Sequence, residues 1–381
     1  MTEFASHWLC PDQIFDGATL RRGMALGVKD GRATTLVARA ALPQGTNQHP
    51  VPGTITPGYL DLQVNGGGDV LLNNAPTAAS MGVIAAAHRT FGTVGILPTV
   101  ITSAPDILRA AVAAAIEAKG MDGILGLHIE GPHISIPRRG THAAKYVRPL
   151  DQGTMDLIAS LRDHAVFVKI TLAPESVQPG QIARLVGLGA VVSIGHSDAT
   201  SDEVERCLAE GATCFTHLFN AMSPMLNRAP GVTGAAINSD AYCGIICDGH
   251  HVADQMLSLA IRARPLPNRM FLVSDSMSTI GGSDRFELYG QKIKLSGGRL
   301  INAEGSLAGA HTTMAESVAR AINVLNLPPE QALQMATSVP AGLIGHSTLG
   351  QVTDRRLQDL LVLDPFWMPT GTCATTDALA A

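Results

Sequence analysis

The chain has 381 residues, of which 46% are hydrophobic and 15% are charged, and its formal net charge is −5 at pH 7. This composition allows a large buried core plus a smaller domain and excludes an intrinsically disordered chain. There is no cluster of Lys and Arg, so we do not expect binding to a nucleic-acid backbone.

The sequence also carries no sign of export or membrane insertion. Residues 1–17 lack a basic start followed by an apolar segment, so we expect no signal peptide. No apolar run reaches the roughly 18 residues that a membrane helix needs. The six cysteines form no Cys-x-x-Cys pair and no dense framework, which is typical of a reducing compartment. We therefore expect a cytoplasmic protein with no membrane partner.

Short apolar pieces divided by turns make up residues 1–53. Asp30-Gly31 lies between two apolar runs, which is a hairpin signal. Val51-Pro52-Gly53 marks a boundary, and a strand is predicted again at 357–363, near the end of the chain. The pattern predicts a small β-sandwich domain built from residues 1–53 and 345–381.

Residues 54–344 repeat strand, loop and helix. Predicted strands are 55–64, 94–100, 124–130, 166–172, 190–196, 214–219, 244–247 and 270–274. Predicted helices between them are 77–91, 105–119, 151–162, 181–188, 201–210 and 253–263. Strands that are apolar on both faces and alternate with helices indicate a parallel sheet. Eight such units over about 250 residues predict an α/β fold of the (β/α)₈ TIM-barrel type.

Two stretches interrupt this pattern. Residues 220–243 form a long connection with little periodicity, and long connections at the carboxyl end of a strand are usually functional. Residues 279–301 are predicted to be a Gly-rich β excursion after the eighth strand. Helices are predicted to follow it at 312–325 and 329–337.

Polar side chains with lone pairs lie at the ends of six of the predicted strands. They are Gln63 and Asn65, Glu130, His196, His217 with Asn220, Asp248 with His250 and His251, and Asp275. Barrel enzymes carry their active residues at the carboxyl ends of the strands, so these side chains are expected on one rim. Each also has a structural interpretation as a buried ion pair, a hydrogen-bonded core histidine, a helix cap or a turn residue. Their joint occurrence favours a functional site, which at most one of the adjacent His250 and His251 would face.

Glu130, His196 and His217 form a set of three oxygen and nitrogen ligands. Catalytic zinc accepts such a set and keeps a fourth position for water, although iron, cobalt and manganese are also compatible with it. The pKa of a water bound to zinc falls to about 7. Asp275 is then the natural general base and, later, the general acid. We expect one divalent transition metal per subunit.

Six motifs, in order along the chain, carry a family resemblance. They are HIEGPHIS (128–135), GHSDAT (195–200), THLFNAMSP (216–224), CDGHHV (247–252), VSDSM (273–277) and LAGAHTTM (307–314). With these motifs the chain resembles the N-acetylglucosamine-6-phosphate deacetylases of the amidohydrolase superfamily. The resemblance runs from Pro57 to at least Met314. It implies hydrolysis of N-acetyl-D-glucosamine 6-phosphate to D-glucosamine 6-phosphate and acetate.

The resemblance also implies a role for individual residues. Glu130, His196 and His217 match the metal ligands, and Asp275 matches the catalytic aspartate. His142 matches a histidine that holds the substrate and polarises its amide carbonyl. The residues that match contacts to the sugar phosphate or the sugar are Asn220, Ala221, His251, Leu307, Ala308 and Gly309. Arg228 matches an arginine that reaches the phosphate from the neighbouring subunit, which implies a homodimer.

The chain departs from the family and superfamily patterns in two places. Many superfamily members carry His-x-His at the end of the first strand, where this chain has Gln63-Val64-Asn65. Because neutral amides are weaker ligands, we expect a single-metal site, with Gln63 contacting the metal's water.

In the second departure, His133 replaces an expected aromatic or apolar residue and has no assigned role. Arg138 and Arg139 are expected to be solvated surface charges.

Three alternatives remain open at this stage. No residue can be tied to the C4 hydroxyl of the sugar, so N-acetylgalactosamine 6-phosphate is a rival substrate. A cyclic-amide hydrolase or a deaminase is a second alternative, although the Pro-Cys-x-x-Cys partner of the nucleobase deaminases is absent. The third is a non-catalytic barrel that binds sugar phosphates, which would have no need for Asp275 beside a metal site.

Overall fold

The computed structural model describes residues 5–380, and the chain divides into two compact units. One unit comprises Met1–Leu60, Phe91–Val94 and Met314–Ala381, and the other comprises Asp61–Thr90 and Gly95–Thr313. The domain boundaries predicted from the sequence stay a prediction. Among the described residues, no helix has both the length and the apolar character needed to cross a membrane.

The strands are numbered in chain order. They are β1 His7–Phe15, β2 Leu20–Arg22, β3 Met24–Lys29, β4 Arg32–Ala38, β5 Gln48–Pro57, β6 Tyr59–Val64, β7 Gly66–Gly67, β8 Val70–Leu71, β9 Thr93–Ile101, β10 Leu127–Glu130, β11 Val168–Leu172, β12 Val191–Ile194, β13 Cys214–Phe215, β14 Tyr242–Ile245, β15 Met270–Leu272, β16 Arg285–Leu288, β17 Gln291–Ser296, β18 Arg299–Ile301, β19 Leu307–Ala310, β20 Arg355–Arg356, β21 Leu360–Leu363 and β22 Pro369–Thr372.

The α-helices are numbered in the same way. They are α1 Ala78–Arg89, α2 Pro105–Glu117, α3 Gln152–Asp163, α4 Gln181–Gly187, α5 Ser201–Ala209, α6 Gly231–Asn238, α7 Asp254–Ala263, α8 Met314–Asn323, α9 Pro329–Ala336, α10 Ser338–Leu343 and α11 Cys373–Ala380.

Strands from both ends of the chain form one sheet. Its order is β20-β4-β3-β1-β5-β21-β22, and β2 pairs with β1. β21 lies antiparallel to β5, with Leu361 opposite Thr56. This pairing confirms the prediction that the C-terminal tail returns to the N-terminal β-structure.

Both faces of this sheet are covered by apolar side chains. Leu9 of β1 belongs to one buried cluster, whereas its neighbours Trp8 and Cys10 belong to another. Successive side chains of a strand point to opposite faces of a sheet, so each cluster lies against one face. The alternation explains why the N-terminal segment contains short, almost continuously apolar stretches.

The predicted (β/α)₈ barrel is confirmed. Eight strands lie in the order β6-β9-β10-β11-β12-β13-β14-β15, and the pairs from β9 to β15 are parallel. A short parallel bridge between Val64 and Ser276 closes the ring. There the backbone N–H of Asp275 donates to the carbonyl of Gln63 at 3.0 Å. The ring therefore closes where polar residues follow the first and last strands.

Side-chain caps stabilise the first turns of three barrel helices. The Thr77 and Asp151 side chains accept hydrogen bonds from the third residue after each of them, which satisfies a backbone N–H of α1 and of α3. α5 begins with a full capping box between Thr200 and Glu203. The predicted helices between the strands agree with the observed ones to within two residues at each end.

Several predicted bounds are wrong, among them the strand at 214–219, because β13 ends at Phe215. The single strand predicted at 55–64 is two strands, because β5 pairs in the terminal sheet while β6 begins the barrel, with Gly58 between them. The connection 220–243 contains the short helix α6, Gly231–Asn238. Its two glycines lower the intrinsic helix propensity, which hides it from sequence-based prediction. The β excursion is confirmed as the four-stranded antiparallel sheet β16-β17-β18-β19.

Placement of β10, the strand that ends in Glu130, depends on Gly126. Its φ is +150°, and a Cβ there would lie 2.2 Å from the Phe167 carbonyl oxygen. We expect Gly126→Ala to lower the free energy of unfolding by about 1–3 kcal/mol more than Gly120→Ala, because overpacking adds to the backbone strain. Gly120 also has a positive φ, but a Cβ there would meet no residue beyond its chain neighbours within 4 Å, so it is the matched control. Urea unfolding curves measure both, and equal effects would contradict the steric argument.

Candidate active site

Four of the predicted site residues meet at the carboxyl end of the barrel. Glu130 is the last residue of β10, while His196, His217 and Asp275 follow β12, β13 and β15. Glu130, His196 and His217 are buried, and Asp275 is partly exposed. The structure therefore brings together residues that are far apart in the sequence, as the rim pattern predicts.

Three of these residues have an uncommon backbone conformation. The φ angles of His196, His217 and Asp275 are 49°, 31° and 53°. Residues other than glycine seldom adopt this left-handed region, and when they do they are concentrated at functional sites. Each of these residues lies two or three positions after the end of its strand, so the backbone turn there sets where each side chain enters the rim.

The donor atoms of Glu130, His196 and His217 form a small triangle. Glu130 Oε1 lies 3.0 Å from His217 Nε2 and 3.4 Å from His196 Nε2. The two Nε2 atoms are 3.1 Å apart. Ligand atoms of a tetrahedral zinc site lie roughly 3.3–3.6 Å apart when each bond is 2.0–2.2 Å long. The triangle therefore has nearly the size that a bound transition metal requires.

A hydrogen bond to the other ring nitrogen of His196 also supports a metal site at the triangle. His196 Nδ1 lies 2.9 Å from the carbonyl oxygen of Arg138. A carbonyl can only accept, so the ring hydrogen is on Nδ1 and the Nε2 lone pair faces the triangle. Metal-binding histidines are oriented in this way by a partner on their other nitrogen.

The pKa values of the two carboxyl groups of the site are shifted in opposite directions. Burial would raise the pKa of Glu130, but the neighbouring His196 and His217 rings outweigh it and hold that pKa well below its usual range. The pKa of Asp275 is raised, first by desolvation and then by the nearby Glu130 charge. Glu130 thus stays anionic, while Asp275 is the carboxyl group better suited to exchange a proton.

Two amides from the first barrel strand hold Asp275. Its Oδ1 accepts hydrogen bonds from Asn65 Nδ2 at 2.7 Å and from Gln63 Nε2 at 3.2 Å. Gln63 Nε2 also donates to Glu130 Oε1 at 2.9 Å. These bonds fix the Asp275 carboxylate beside the triangle. The predicted contact of Gln63 with a metal-bound water stays a prediction.

His142 approaches the triangle from the loop after β10. Its ring centre is 4.3 Å from that of His196, and its Nδ1 lies 2.8 Å from Thr102 Oγ1. A ring nitrogen of His142 lies within 4.8 Å of the ligand atoms of Glu130 and His196. The side chain is therefore placed to touch a substrate bound at the triangle.

A cavity of about 590 Å³ opens above these residues. This volume is within the usual range for a site that binds a small molecule. The predicted site residues among those lining the cavity are Glu130, His142, His196, His217, Asn220, Ala221, His251, Asp275, Leu307 and Gly309.

Three predicted site residues do not line this cavity. Gln63 is fully buried beneath it, and the Ala308 side chain belongs to an apolar cluster. Arg228 instead lines a second cavity, formed by residues 198–202 and 223–231. Within one chain, Arg228 is thus separate from the cavity that holds His142 and Asp275.

Of the adjacent residues His250 and His251, one faces the cavity, as the sequence predicts. His251 lines the cavity, whereas His250 is exposed and does not line it. His251 Nδ1 lies 2.7 Å from Asp248 Oδ2, and Asp248 Oδ1 accepts the backbone N–H groups of both histidines. Burial opposes the effect, but these bonds lower the pKa of Asp248 to about 2. Asp248 is therefore both a turn residue and the partner that orients His251.

Arg138 and Arg139 are partly exposed, as expected for surface charges, but each is also paired with a carboxylate. Arg138 pairs with Asp198 at 2.7 Å, and Arg139 pairs with Glu304 at 2.6 Å. Both arginines line the cavity. Arg139 also donates to the carbonyl of His142 at 3.0 Å. The sequence carries no signal for these contacts, because they join loops that are far apart along the chain.

His133 does not line the cavity, and both of its ring nitrogens have hydrogen-bond partners. Its ring nitrogens lie 3.1 Å from the Arg148 carbonyl and 2.9 Å from Thr154 Oγ1. Both nitrogens therefore have partners in the segment that leads into α3. Burial lowers the pKa of His133, which favours the neutral ring.

Comparison with known proteins identifies the family. The model of the Amidohydrolase family matches residues 54–379. The chain belongs to the amidohydrolase family. This match spans most of the chain, and the resemblance inferred from the six motifs is confirmed.

Several members of the family are similar over most of their length. The N-acetylgalactosamine-6-phosphate deacetylase of Shewanella sp. (strain ANA-3) is 42% identical over 316 residues, which are 82% of this chain and 79% of that protein. The N-acetylglucosamine-6-phosphate deacetylase of Haemophilus influenzae is 33% identical over 367 residues, covering 94% and 95%. The crystal structure of the N-acetylglucosamine-6-phosphate deacetylase from Pasteurella multocida has a TM-score of 0.89 and 30% identity, covering 96% and 97%.

The triangle predicts how the protein retains metal. We expect dialysed, metal-loaded protein to keep about one divalent transition ion per chain. Glu130→Gln should lose most of it, because a neutral amide is a weaker ligand than a carboxylate. Glu304→Gln is the control, since Glu304 lines the same cavity but pairs with Arg139. Elemental analysis measures both, and full retention by Glu130→Gln would remove this residue from the ligand set.

Proposed function

We propose that the protein is a metal-dependent deacetylase acting on N-acetyl-D-glucosamine 6-phosphate. The products are D-glucosamine 6-phosphate and acetate. The observation that carries this proposal is the triangle of Glu130, His196 and His217 with Asp275 beside it in a cavity of ligand size. The names of the Haemophilus influenzae relative and of the Pasteurella multocida structure support the choice of substrate.

We assign Glu130, His196 and His217 as the ligands of one divalent transition metal. Two imidazole nitrogens and one carboxylate oxygen suit zinc, and iron, cobalt or manganese can bind the same set. A metal held there lowers the pKa of a bound water to about 7 and polarises the carbonyl under attack.

The chain itself supplies the proton transfers. Asp275 accepts the proton of the attacking water and returns it to the departing amine nitrogen as the carbon–nitrogen bond breaks. Asn65 and Gln63 hold its Oδ1 during this exchange. His142 donates a hydrogen bond to the carbonyl oxygen, where negative charge develops. The acetyl group leaves as acetate.

We place the phosphate near Asn220, Ala221 and His251. These residues line the cavity on the segments that follow β13 and β14. Asp248 holds the His251 ring by its Nδ1, which leaves Nε2 for the ligand. Leu307, Ala308 and Gly309 form the strand β19 beside the cavity and are assigned to the sugar wall.

We further propose a homodimer in which Arg228 binds the phosphate of the neighbouring subunit. Arg228 does not line the main cavity of its own chain. Leu226 and Met225 beside it are 57% and 44% exposed. Exposed apolar side chains grouped around a cation are typical of a surface that becomes covered by a partner.

A specific observation favours a second substrate. The Shewanella relative, 42% identical to this chain, is named for N-acetylgalactosamine 6-phosphate. The two sugars differ only in the configuration at C4, and the same metal, Asp275 and His142 would act on either. The chemistry proposed above is therefore unchanged, and only the contacts to the C4 hydroxyl would differ.

Acetate release tests the activity directly. Metal-loaded protein should release acetate from N-acetyl-D-glucosamine 6-phosphate, and Asp275→Asn should be slower by roughly 10²–10⁴-fold because it removes the general base. N-acetyl-D-galactosamine 6-phosphate assayed alongside gives the ratio of kcat/KM for the two epimers. A larger kcat/KM for the galacto sugar would transfer the assignment to that substrate, and no acetate from either would reject the deacetylase.

Arg228→Ala tests the phosphate contact. KM for the phosphorylated sugar should rise roughly 10- to 100-fold, since a hydrogen bond to a charged group is lost. KM for unphosphorylated N-acetyl-D-glucosamine should change little. Arg109→Ala is the control, because Arg109 is an exposed arginine paired with Asp106 on α2.

A mixing experiment distinguishes contacts within a chain from contacts between subunits. A hybrid of one Arg228→Ala chain and one Asp275→Asn chain contains one site with an intact Asp275 and an Arg228 from its neighbour. Activity at low substrate should therefore reappear when the two variants are dissociated and reassembled together. No recovery in a verified hybrid would place Arg228 in its own chain's site or outside the site.

A further inference from the structure

Thr102 lies directly behind His142. It follows β9, and its Oγ1 is 2.8 Å from His142 Nδ1. Both residues are buried, at 1% and 3% exposure. A buried hydrogen bond to the nitrogen that faces away from the cavity controls what the other ring nitrogen can do.

Gly131 makes room for the Thr102 hydroxyl. Its φ is +76°, and a Cβ at this position would lie 2.2 Å from Thr102 Oγ1. Any larger residue after Glu130 would displace the hydroxyl from its place against His142. The close approach of Thr102 thus explains why the residue after Glu130 is a glycine.

The surroundings of the hydroxyl indicate the direction of the hydrogen bond. Thr102 Oγ1 has one hydrogen, and its contact to the Glu130 carbonyl oxygen is 3.5 Å long. That distance is well outside the usual 2.5–3.0 Å range of an O–H···O bond. The hydroxyl therefore gives its hydrogen to His142 Nδ1 at 2.8 Å.

The protonation state of His142 then follows from general chemistry. His142 Nδ1 accepts the hydroxyl hydrogen and so carries a lone pair, and the ring is therefore neutral because an imidazolium has a hydrogen on both nitrogens. A neutral imidazole carries one hydrogen, so a ring that accepts at Nδ1 carries that hydrogen on Nε2. Such a ring donates from Nε2 and has no lone pair there for a metal.

We propose that Thr102 is a positioning residue that fixes His142 in the tautomer with its hydrogen on Nε2, so that His142 donates to the carbonyl oxygen of the acetamido group. This proposal rests on the proposed function. It also separates His142 from the three metal ligands, because they offer lone pairs whereas His142 offers a hydrogen. A neutral histidine acting as the electrophile is an established catalytic arrangement.

Thr102→Val and Thr102→Ser form the matched pair of variants. Valine keeps the shape of threonine but removes the hydroxyl, and serine keeps the hydroxyl. With the preferred sugar phosphate, kcat of Thr102→Val should fall roughly 10- to 100-fold, less than the 10²–10³-fold loss of a whole oxyanion donor. KM and metal content should stay near wild-type values, and Thr102→Ser should retain most of kcat. Thr102→Ala replaces the valine variant if that variant does not fold.

Two further readouts distinguish positioning from a general structural role. An N-trifluoroacetyl analogue has a more electrophilic carbonyl that needs less polarisation, so the Thr102→Val defect should shrink with it. The double variant Thr102→Val/His142→Asn should be no slower than His142→Asn alone, because Thr102 acts only through His142. His142→Asn should also keep its metal.

Several outcomes would overturn the proposal. They are wild-type kcat in Thr102→Val, a serine variant as slow as the valine variant, multiplying defects in the double variant, or loss of metal from His142→Asn. The last result would make His142 a ligand. A wild-type protein that releases no acetate from either epimer would instead reject the proposed function, which keeps the two failures distinguishable.

Discussion

A buried carboxylate between two imidazoles is the constraint on which the rest of the site depends. Glu130 Oε1 lies within 3.4 Å of both Nε2 atoms, and those nitrogens are 3.1 Å from each other. Because His196 carries its hydrogen on Nδ1, its Nε2 has only a lone pair to offer to Glu130 and His217. That nitrogen and the Glu130 oxygen therefore face each other with lone pairs at 3.4 Å, away from water, which is unfavourable unless a cation joins them. A divalent metal would bind this oxygen and both nitrogens, which is the physical basis for the proposed assignment.

The barrel is what makes this crowding possible. Left-handed backbone at His196, His217 and Asp275 is unfavourable for each residue, and it persists only where the surrounding structure fixes the chain. Parallel strands supply that restraint to within two or three residues of each turn. The site therefore combines strand ends with strained residues at the start of the loops, so the positions of the proposed ligands are set before any substrate binds.

The sequence predicts the parts of the site that strands position, because the order of apolar runs shows where each strand ends. Glu130, His196, His217 and Asp275 belong to this group. It does not predict contacts between loops, such as Thr102 with His142 or Arg139 with Glu304, which lie 40 and 165 residues apart. No periodicity relates such residues, since their meeting depends on how irregular segments fold. The division of 55–64 into β5 and β6 was hidden for a related reason, because both strands are apolar and differ only in their partners.

The residues at the end of the first barrel strand are the basis for expecting a single metal. The amide nitrogens of Gln63 and Asn65 donate hydrogen bonds to the carboxylates of Glu130 and Asp275. Histidines at these two positions would direct lone pairs at the same region and, with those carboxylates, could bind a second cation. The amides direct N–H groups there instead, so the carboxylate oxygens accept hydrogen bonds where a second cation would otherwise bind. These bonds hold Oδ1 of Asp275, which leaves its Oδ2 for the proposed role of general base.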